Sequence, residues 1–547
     1  MSETLGQPGT TSTSILGNPV LRREDDALVR GQGEYVGNVP LEGALHAHFV
    51  RSTTAHGTIE SIEVDDARSM PGVVAVYTAA DLGLDDRPVT MGFYPSEMGR
   101  SFLARDRVRF VGEPIAVVVA ESPYLAADAA EMIWADIEPL PPVLDLADAL
   151  AGNTVLFPDL GHNVAFRNAV EDPIDFSGYE VVVTEDVANS RVAAVSIEPR
   201  VVAASIVDGR LTCWASSQGA HNFRQTVADI LGLEPEDMRV YVKDIGGGFG
   251  AKGVPSEEEV MVVYLARLLE RPVRWTETRT ENLTGYVHGR AQDQKVTIAG
   301  TRDGDIQAYR LELIQDSGAY PKYGAFLPEF TRQMASGVYD IGRVELEFAS
   351  VVTTTAPICA YRGAGRPEAT AAIERAVDLF AAEIGMDPVE VRRRNLPSPD
   401  AFPFTNGTGT VYDSGEYERS LDVALETADY TGLRAEQQRR RDAGDVRQLG
   451  IGVCTYVEIT GFGGSEHGEV CLQPDGTVLA VTGSTPIGTG HLTTWAMIVA
   501  DRMGVPIEAV TVFHGDTDRV PSGQVTGGSR SVQIAGSSMS DAADKLI

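Results

Sequence analysis

The sequence predicts an α+β chain of several domains, and three observations carry that prediction. Strand-like runs such as 45–50 and 73–77 are mixed with helix-like runs such as 122–133, with no single period throughout. Glycine-rich turns lead into helix-like runs at Asp244-Ile245-Gly246-Gly247-Gly248-Phe249-Gly250-Ala251-Lys252 and at Ala360-Tyr361-Arg362-Gly363-Ala364-Gly365-Arg366-Pro367-Glu368. Two passages also share one outline of loop, helix, glycine turn and strand. Gln218-Gly219-Ala220-His221 opens the first, which runs into the first glycine loop. Gly488-Thr489-Gly490-His491 opens the second, which ends at His514-Gly515-Asp516-Thr517-Asp518. Their offsets differ by two residues, and the likeness suggests paired domains facing one cofactor.

Taken in order, residues 1–20 are rich in Gly, Ser, Thr and Pro and read as a flexible arm. The unit 21–150 is a mixed α/β module with strands at 45–50, 73–77 and 108–120, a helix at 122–133 and a close at Pro139-Leu140-Pro141-Pro142. A second unit spans 163–396. In it a strand at 239–245 enters the first glycine loop, and Ser256 with Glu259 forms a capping box for a helix carrying 260–269. Behind the second glycine loop, Ala369, Ala372, Ile373, Ala376, Phe380 and Ile384 share one helical face, with Pro367 just inside the start and Gly385 as the stop. A connector, 397–448, contains the charged run 434–447, which reads as a solvated helix. The third unit, 449–547, holds a helix at 493–503, a strand at 509–513 and a last helix begun near Gln533.

Composition narrows the function. A chain of 547 residues exceeds one core and implies roughly three or four domains. With 78 acidic against 45 basic residues, the net charge of −33 repels phosphate backbones and anionic membranes, which disfavours nucleic-acid partners. Cys213, Cys359, Cys454 and Cys471 contain no CxxC pair, and His46, His48, His56, His162, His221 and His288 lack ligand spacing, so neither a zinc site nor an iron–sulfur cluster is expected from this chain alone. There is no signal-like apolar region in 1–20 and no apolar run long enough for a membrane span, and a cytoplasmic location is expected.

The first glycine loop admits several readings. A turn before a helix N-terminus is a ready anion site. A P-loop fails, because Lys252 is preceded by Ala251 and followed by Gly253. Gly248-x-Gly250-x-x-Gly253 satisfies a dinucleotide fingerprint, with Glu277 as its ribose acid, and a ligand-free structural turn is the third reading. Taken singly, Gln218 reads as a loop residue, Arg362 as a solvated or salt-bridged arginine, and His491 equally as a helix-capping surface histidine. Phe249 is the residue turn chemistry explains least.

Several segments in one order resemble a known family: 247–252, 360–368, Gly490-His491-x-Thr493-Thr494, 514–518 and Gly528-Ser529-Arg530-Ser531. They are similar to the molybdenum-binding large subunit of the xanthine dehydrogenase and aldehyde oxidase family, and most nearly to the aerobic carbon monoxide dehydrogenase large-subunit group. Arg23-Glu24-Asp25, Gly31-x-Gly33-x-Tyr35 and Arg392-Arg393-Arg394-Asn395 extend the likeness over nearly the whole chain. The resemblance implies a hammerhead-like α/β domain at 21–150, then two related molybdopterin-binding α+β domains, the second incomplete. It implies a molybdenum-bearing molybdopterin in its cytosine dinucleotide form, with iron–sulfur and FAD groups on partner subunits. By the same likeness Gln218, Gly219, Gly247, Gly248, Phe249, Gly250, Arg362, Gly488, Thr489, Gly490, His491, Thr526, Ser529, Arg530 and Ser531 bind the cofactor. Arg362, Gly363 and Ala364 line the substrate pocket, and the molybdenum takes no direct protein ligand.

The sequence departs from the family pattern at identifiable points. Gly363 stands where the carbon monoxide dehydrogenases carry their copper-binding cysteine, and Cys359 is out of register. Gly253 and Ala364 stand where purine-oxidising members have a glutamate and a stacking phenylalanine. Thr489 replaces a glutamine, keeping a hydroxyl but not an amide. No residue matches the glutamate base that the family carries near the end of a longer chain, so no catalytic residue is assigned. Three expectations follow: a fragment of a longer large subunit, a split large subunit completed by a separate C-terminal polypeptide, or an inactive protein, with the chain nearly inert alone. The function expected is oxidation of an aldehyde or N-heterocycle with water as oxygen source. Carbon monoxide dehydrogenase-type activity, a nicotinamide dehydrogenase and a non-catalytic scaffold are the alternatives.

Overall fold

The computed structural model describes residues 14–547. Its centre is one sheet of seven strands, ordered Met238–Tyr241, Arg210–Ala215, Val201–Val207, Val273–Thr276, Leu45–Arg51, Pro114–Ala120 and Val73–Thr78. Three of these strands come from the first unit and four from the second. The two halves join where Leu45 pairs in parallel with Val273, and the Leu45 N–H donates to Pro272 O at 2.8 Å. One core follows the sheet across the boundary, with Phe49, Val117, Val202, Val240, Val262 and Trp275 in a single buried cluster. The Phe49 and Trp275 rings meet edge to face at 5.4 Å, a geometry that adds about 0.5–1.5 kcal/mol beyond burial.

Two strand expectations need correction. The run 108–120 is two strands, Arg107–Val108 and Pro114–Ala120, in different sheets. Between them Gly112 adopts φ +98°, and a Cβ there would lie 2.7 Å from Gly285 Cα, so the chain turns against its neighbour instead of staying extended. The strand expected at 239–245 is Met238–Tyr241 only. Beyond Tyr241 the backbone turns to the third unit, and the Val242 N–H donates to Gly515 O at 2.7 Å.

The helix Glu257–Leu269 has the expected capping box, with Ser256 N donating to Glu259 Oε2 (2.8 Å) and Glu259 N to Ser256 Oγ (3.3 Å). Its first turn is closed to an external anion, because Glu257, Glu258 and Glu259 are all buried there. Glu257 pairs with Arg87, Arg100 and Lys322, and Glu258 with Arg51 and Arg200, all within 3.1 Å. The helix dipole and five cations thus hold the protein's own carboxylates. These cations come from both units, so the network bolts the sheet halves together.

The rest of the second unit is a five-stranded sheet, ordered Val164–Asn168, Arg343–Val351, Ile306–Asp316, Gln292–Gly300 and Val181–Asn189. The helix Arg366–Ile384 packs on it through Ala372, Ile373, Ala376 and Phe380 and stops at Gly385, φ +69°. The connector carries the helices Tyr417–Thr427 and Tyr430–Asp442. In the third unit the strands Gly468–Leu472, Val478–Thr482 and Val510–Phe513 pack against the helices His491–Met503 and Ser537–Leu546. Ile15 and Val20 also pack on that core, and Ile15 N donates to Asp501 Oδ1 at 2.9 Å; the earlier part of the expected arm, 1–13, lies outside the described residues. The third unit docks on the edge of the seven-stranded sheet, where Arg239 holds Asp516 through two bonds of 3.0 and 2.7 Å and Val240 N donates to Thr517 Oγ1 at 3.0 Å.

Candidate functional site

Loops of the second and third units meet around Gln218. Its side chain is buried, and Oε1 accepts from Gly250 N (2.9 Å) and Lys252 N (3.2 Å) while Nε2 donates to Thr526 O (2.7 Å). Thr526 N donates back to Gln218 O at 2.8 Å. One amide therefore ties the first glycine loop to the third unit. The glycines are what allow this approach: a Cβ on Gly248 would sit 2.6 Å from Gln218 Oε1, and one on Gly250, φ +96°, 2.7 Å from Ala360 O. A Cβ on Gly219 would lie 3.1 Å from Val525 Cα, and one on Gly247 2.8 Å from the Phe249 ring.

Phe249 has φ +55° and stays partly exposed. A bulky residue in the left-handed region is strained and held by its surroundings. Its carbonyl accepts from Arg362 N at 2.9 Å, which sets the 362–364 segment beside the glycine loop. Arg290 holds that segment from behind, donating to Tyr361 O (3.1 Å) and Arg362 O (2.5 Å). The Arg362 guanidinium itself is exposed and makes no hydrogen bond or ion pair among the described residues. Gly363 has φ +95°, and a Cβ there would lie 2.4 Å from Pro367 Cγ; Ala364 follows at φ +36°. Ser529, φ +53°, donates to Glu458 Oε1 at 3.2 Å, and Glu458 in turn pairs with Arg366 at 2.7 Å.

A second cluster lies at the N-terminus of the helix His491–Met503. Gly490 is its N-cap at φ +77°, and the helix has no acid of its own in the first turn. Arg22 lies 3.4 Å from where a Gly490 Cβ would be, and Arg23 N donates to Thr493 Oγ1, which donates to Glu24 Oε2. Gly488 and Thr489 are exposed in the turn before it, with Gly488 beside Ile245 O of the first glycine loop. The two clusters also connect through Thr526 Oγ1, which donates to Thr485 O at 2.6 Å. Arg530 points away toward Gln524 and Ser465 O, and Ser531 opens the π-helical stretch Ser531–Gly536.

Besides His491, which the resemblance assigned, the second cluster contains Thr485, Trp495 and His514, which the sequence reasoning did not assign. Thr485 Oγ1, His491 Nδ1, Trp495 Nε1 and His514 Nδ1 are buried without a hydrogen-bond partner among the described residues. The His491 and Trp495 rings meet at 4.2 Å. Burial pushes the His491 imidazole down to about 4 and His514 to about 3, the latter aided by Lys243 and His491, so both are neutral at pH 7 and can donate and accept. An unsatisfied buried polar atom costs about 1–3 kcal/mol, and such a set suits phosphate and pterin oxygens and nitrogens, with Glu24 and Arg22 standing at the helix N-terminus beside it. The residues present fit a molybdopterin. His514 was within reach of the sequence, since it stands in one of the family segments.

Glu198 was also missed. Its Oε2 accepts from Gly246 N (2.9 Å) and from Lys252 Nζ (3.1 Å), so it sets both ends of the glycine loop. Burial lowers the Lys252 pKa, and Glu198 acts against that shift. The dinucleotide reading of the same loop is overturned. Glu277, its expected ribose acid, is buried and bonded to Arg200 and Asn282, and the helix N-terminus behind the loop is filled by carboxylates. Among the described residues no group of three or more His, Cys, Asp or Glu side chains is placed to hold a metal ion, and no helix is long and apolar enough to cross a membrane.

Comparison with known proteins agrees with this geometry. The molybdopterin cofactor-binding domain is matched twice, over residues 156–396 and 423–547, and the a/b hammerhead domain of aldehyde oxidase and xanthine dehydrogenase over 30–141. The carbon monoxide dehydrogenase large chain of Hydrogenophaga pseudoflava is 34% identical, over 96% of this chain and 69% of that one. The nicotine 6-hydroxylase large subunit of Paenarthrobacter nicotinovorans is 34% identical, over 97% and 67%. The structure of quinoline 2-oxidoreductase from Pseudomonas putida 86 superposes with a TM-score of 0.91 at 34% identity, covering 96% of this chain and 70% of that one. The hammerhead-like domain and the two cofactor domains expected from the sequence are thus present. With that span of matched sequence and structure, the chain belongs to the aldehyde oxidase and xanthine dehydrogenase family, as the molybdopterin-binding large subunit of a molybdenum hydroxylase.

Proposed function

We propose that the chain oxidises an N-heterocycle or an aldehyde, with water as the oxygen source and the cytosine dinucleotide form of molybdopterin as its cofactor. Iron–sulfur and FAD subunits receive the electrons, since the chain's four cysteines are scattered. When bound, molybdopterin with its metal supplies the two-electron redox chemistry. The chain's own residues do the holding. The neutral His491 and His514 rings, Thr485 and the N–H groups at Gly490 take polar atoms of the cofactor, and the glycine loop with the spare amide hydrogen of Gln218 lies along it. Arg362, whose guanidinium has no hydrogen-bond or ion-pair partner among the described residues, offers its charge to an anion developing on the substrate, an effect strengthened where water is excluded.

The observation that carries this substrate class is the backbone at Gly363. At φ +95°, with Pro367 2.4 Å from a would-be Cβ, the position has no room for the thiol that copper-dependent oxidation of carbon monoxide needs. The relatives named for acting on nicotine and quinoline support the heterocycle. Co-expression with partner subunits, followed by metal and pterin analysis and steady-state assays, tests the reading. Turnover of N-heterocycles or aromatic aldehydes supports it, and turnover of carbon monoxide or xanthine alone overturns it.

A further inference from the structure

Gly363, Ala364 and Gly365 take left-handed backbone in succession, at φ +95°, +36° and +87°, directly after the exposed Arg362. Such a turn persists only where its surroundings over-determine it. Behind it stands Glu368, a wholly buried carboxyl in the first turn of the helix Arg366–Ile384, which no role above uses. Its Oε2 accepts from Gly365 N at 2.8 Å and fixes the far end of the turn. That half of the arrangement is a helix cap. A cap has no need of the other half, in which Glu368 Oε1 is buried without a hydrogen-bond partner among the described residues, 3.5 Å from Arg290 Nη1. Burial raises the Glu368 pKa, and the Arg290 guanidinium acts against that shift.

Arg290 carries the hold to the near end of the turn. Its guanidinium donates to Tyr361 O (3.1 Å) and Arg362 O (2.5 Å), and its carbon lies 4.9 Å from the Tyr361 ring centroid. Its own backbone is left-handed at φ +63°, and its carbonyl accepts from the buried Gln315 amide at 2.9 Å. With Arg362 N donating to Phe249 O at 2.9 Å, the backbone of Arg362 is fixed on both sides while its guanidinium has no partner among the described residues. We propose that Glu368, acting through Arg290 and the Gly365 N–H, is a positioning residue that aims the Arg362 guanidinium at the substrate. This rests on the reading of Arg362 as the group that meets charge developing on the substrate. A misplacement of about 1 Å can cost about 10²-fold in rate. Because that charge appears only in the transition state, the loss falls on kcat rather than on KM.

The test uses the enzyme purified with its co-expressed subunits, as wild type, Glu368→Gln, Arg290→Lys, Arg362→Ala, and Arg362→Ala combined with each of the other two. It measures kcat and KM for quinoline and for benzaldehyde, molybdenum and pterin content, and amide hydrogen exchange over 360–366. Glu368→Gln keeps the side-chain volume and an acceptor for Gly365 N, but loses the charge that faces Arg290. At unchanged pterin content, kcat is expected to fall roughly 10- to 100-fold while KM moves less than about threefold, and exchange over 360–366 quickens at least about tenfold. Arg290→Lys, which lacks the fork that spans two carbonyls, gives the same pattern. Each double variant is no slower than Arg362→Ala alone, since Glu368 and Arg290 act through Arg362. Losses that multiply in the double variants, a KM that rises at constant kcat, or unchanged exchange overturn the proposal. Where Glu368→Gln fails to fold, Arg290→Lys decides on the same measurements. If Arg362→Ala leaves kcat unchanged, or neither substrate is turned over, the functional reading fails instead, and exchange over 360–366 still decides whether Glu368 fixes Arg362.

Discussion

At the scale of single residues, the site depends on side chains that join distant segments. Gln218 Nε2 reaches Thr526 O across 308 positions of sequence while Oε1 serves two N–H groups of the glycine loop. Gln218→Ala strands three backbone groups, each at about 1–3 kcal/mol when buried. Urea unfolding should show a loss of roughly 2–5 kcal/mol, and the purified protein should retain less pterin. Gly363→Cys, which restores the copper-ligand residue type, should not confer carbon monoxide oxidation. It should cost about 1–3 kcal/mol in the same assay, because the backbone is left-handed and Pro367 fills the space. Phe249 stands out in the sequence because turn chemistry does not explain an aromatic between glycines, whereas Arg362 is singled out only by the family resemblance. Glu198 is not visible in this way, because its role comes from contacts with Gly246 and Lys252 that no local pattern announces.

At the scale of elements, the helix Glu257–Leu269 was legible at its start and opaque in its meaning. Ser256 and Glu259 mark the cap by spacing alone, whereas the cations that fill the first turn arrive from five separate segments. Burial works to raise the Glu258 pKa, but Arg200 and Arg51 outweigh it and hold the carboxyl well below the usual range. Because the folded value lies below the unfolded one, this stabilisation is present above about pH 4.5 and is lost as the pH falls further. Thermal unfolding followed from pH 7 to pH 3 should steepen below about 4.5 in the wild type. Glu258→Gln should be flatter there and less stable at pH 7 by about 3–5 kcal/mol, since two buried arginines lose a partner. The helix His491–Met503 behaves differently. With His491 held neutral and its folded pKa near 4, stability should already decline as the pH falls below about 6.5, by roughly 3 kcal/mol over the whole window. His491→Asn should remove that part of the slope.

At the scale of the whole molecule, the order of the units was legible and their union was not. Strand alternation and glycine turns separate the units along the chain, but a parallel pairing such as Leu45 with Val273 leaves no local signature. Removing 21–150 takes three of the seven strands and exposes the edge of Val273–Thr276 and half a core. A chain of 151–547 should therefore be insoluble or rapidly digested by protease, while the same chain co-expressed with 14–150 should be recovered in part. The shared sheet also has a consequence for synthesis. At about 5–20 residues per second, the ribosome takes roughly 10–45 s to travel from Leu45 to the end of the strand Val273–Thr276. For that interval the newborn N-terminal strands carry a bare edge and an open apolar face, and a holding chaperone at the tunnel exit is the natural guard against their pairing with another nascent copy.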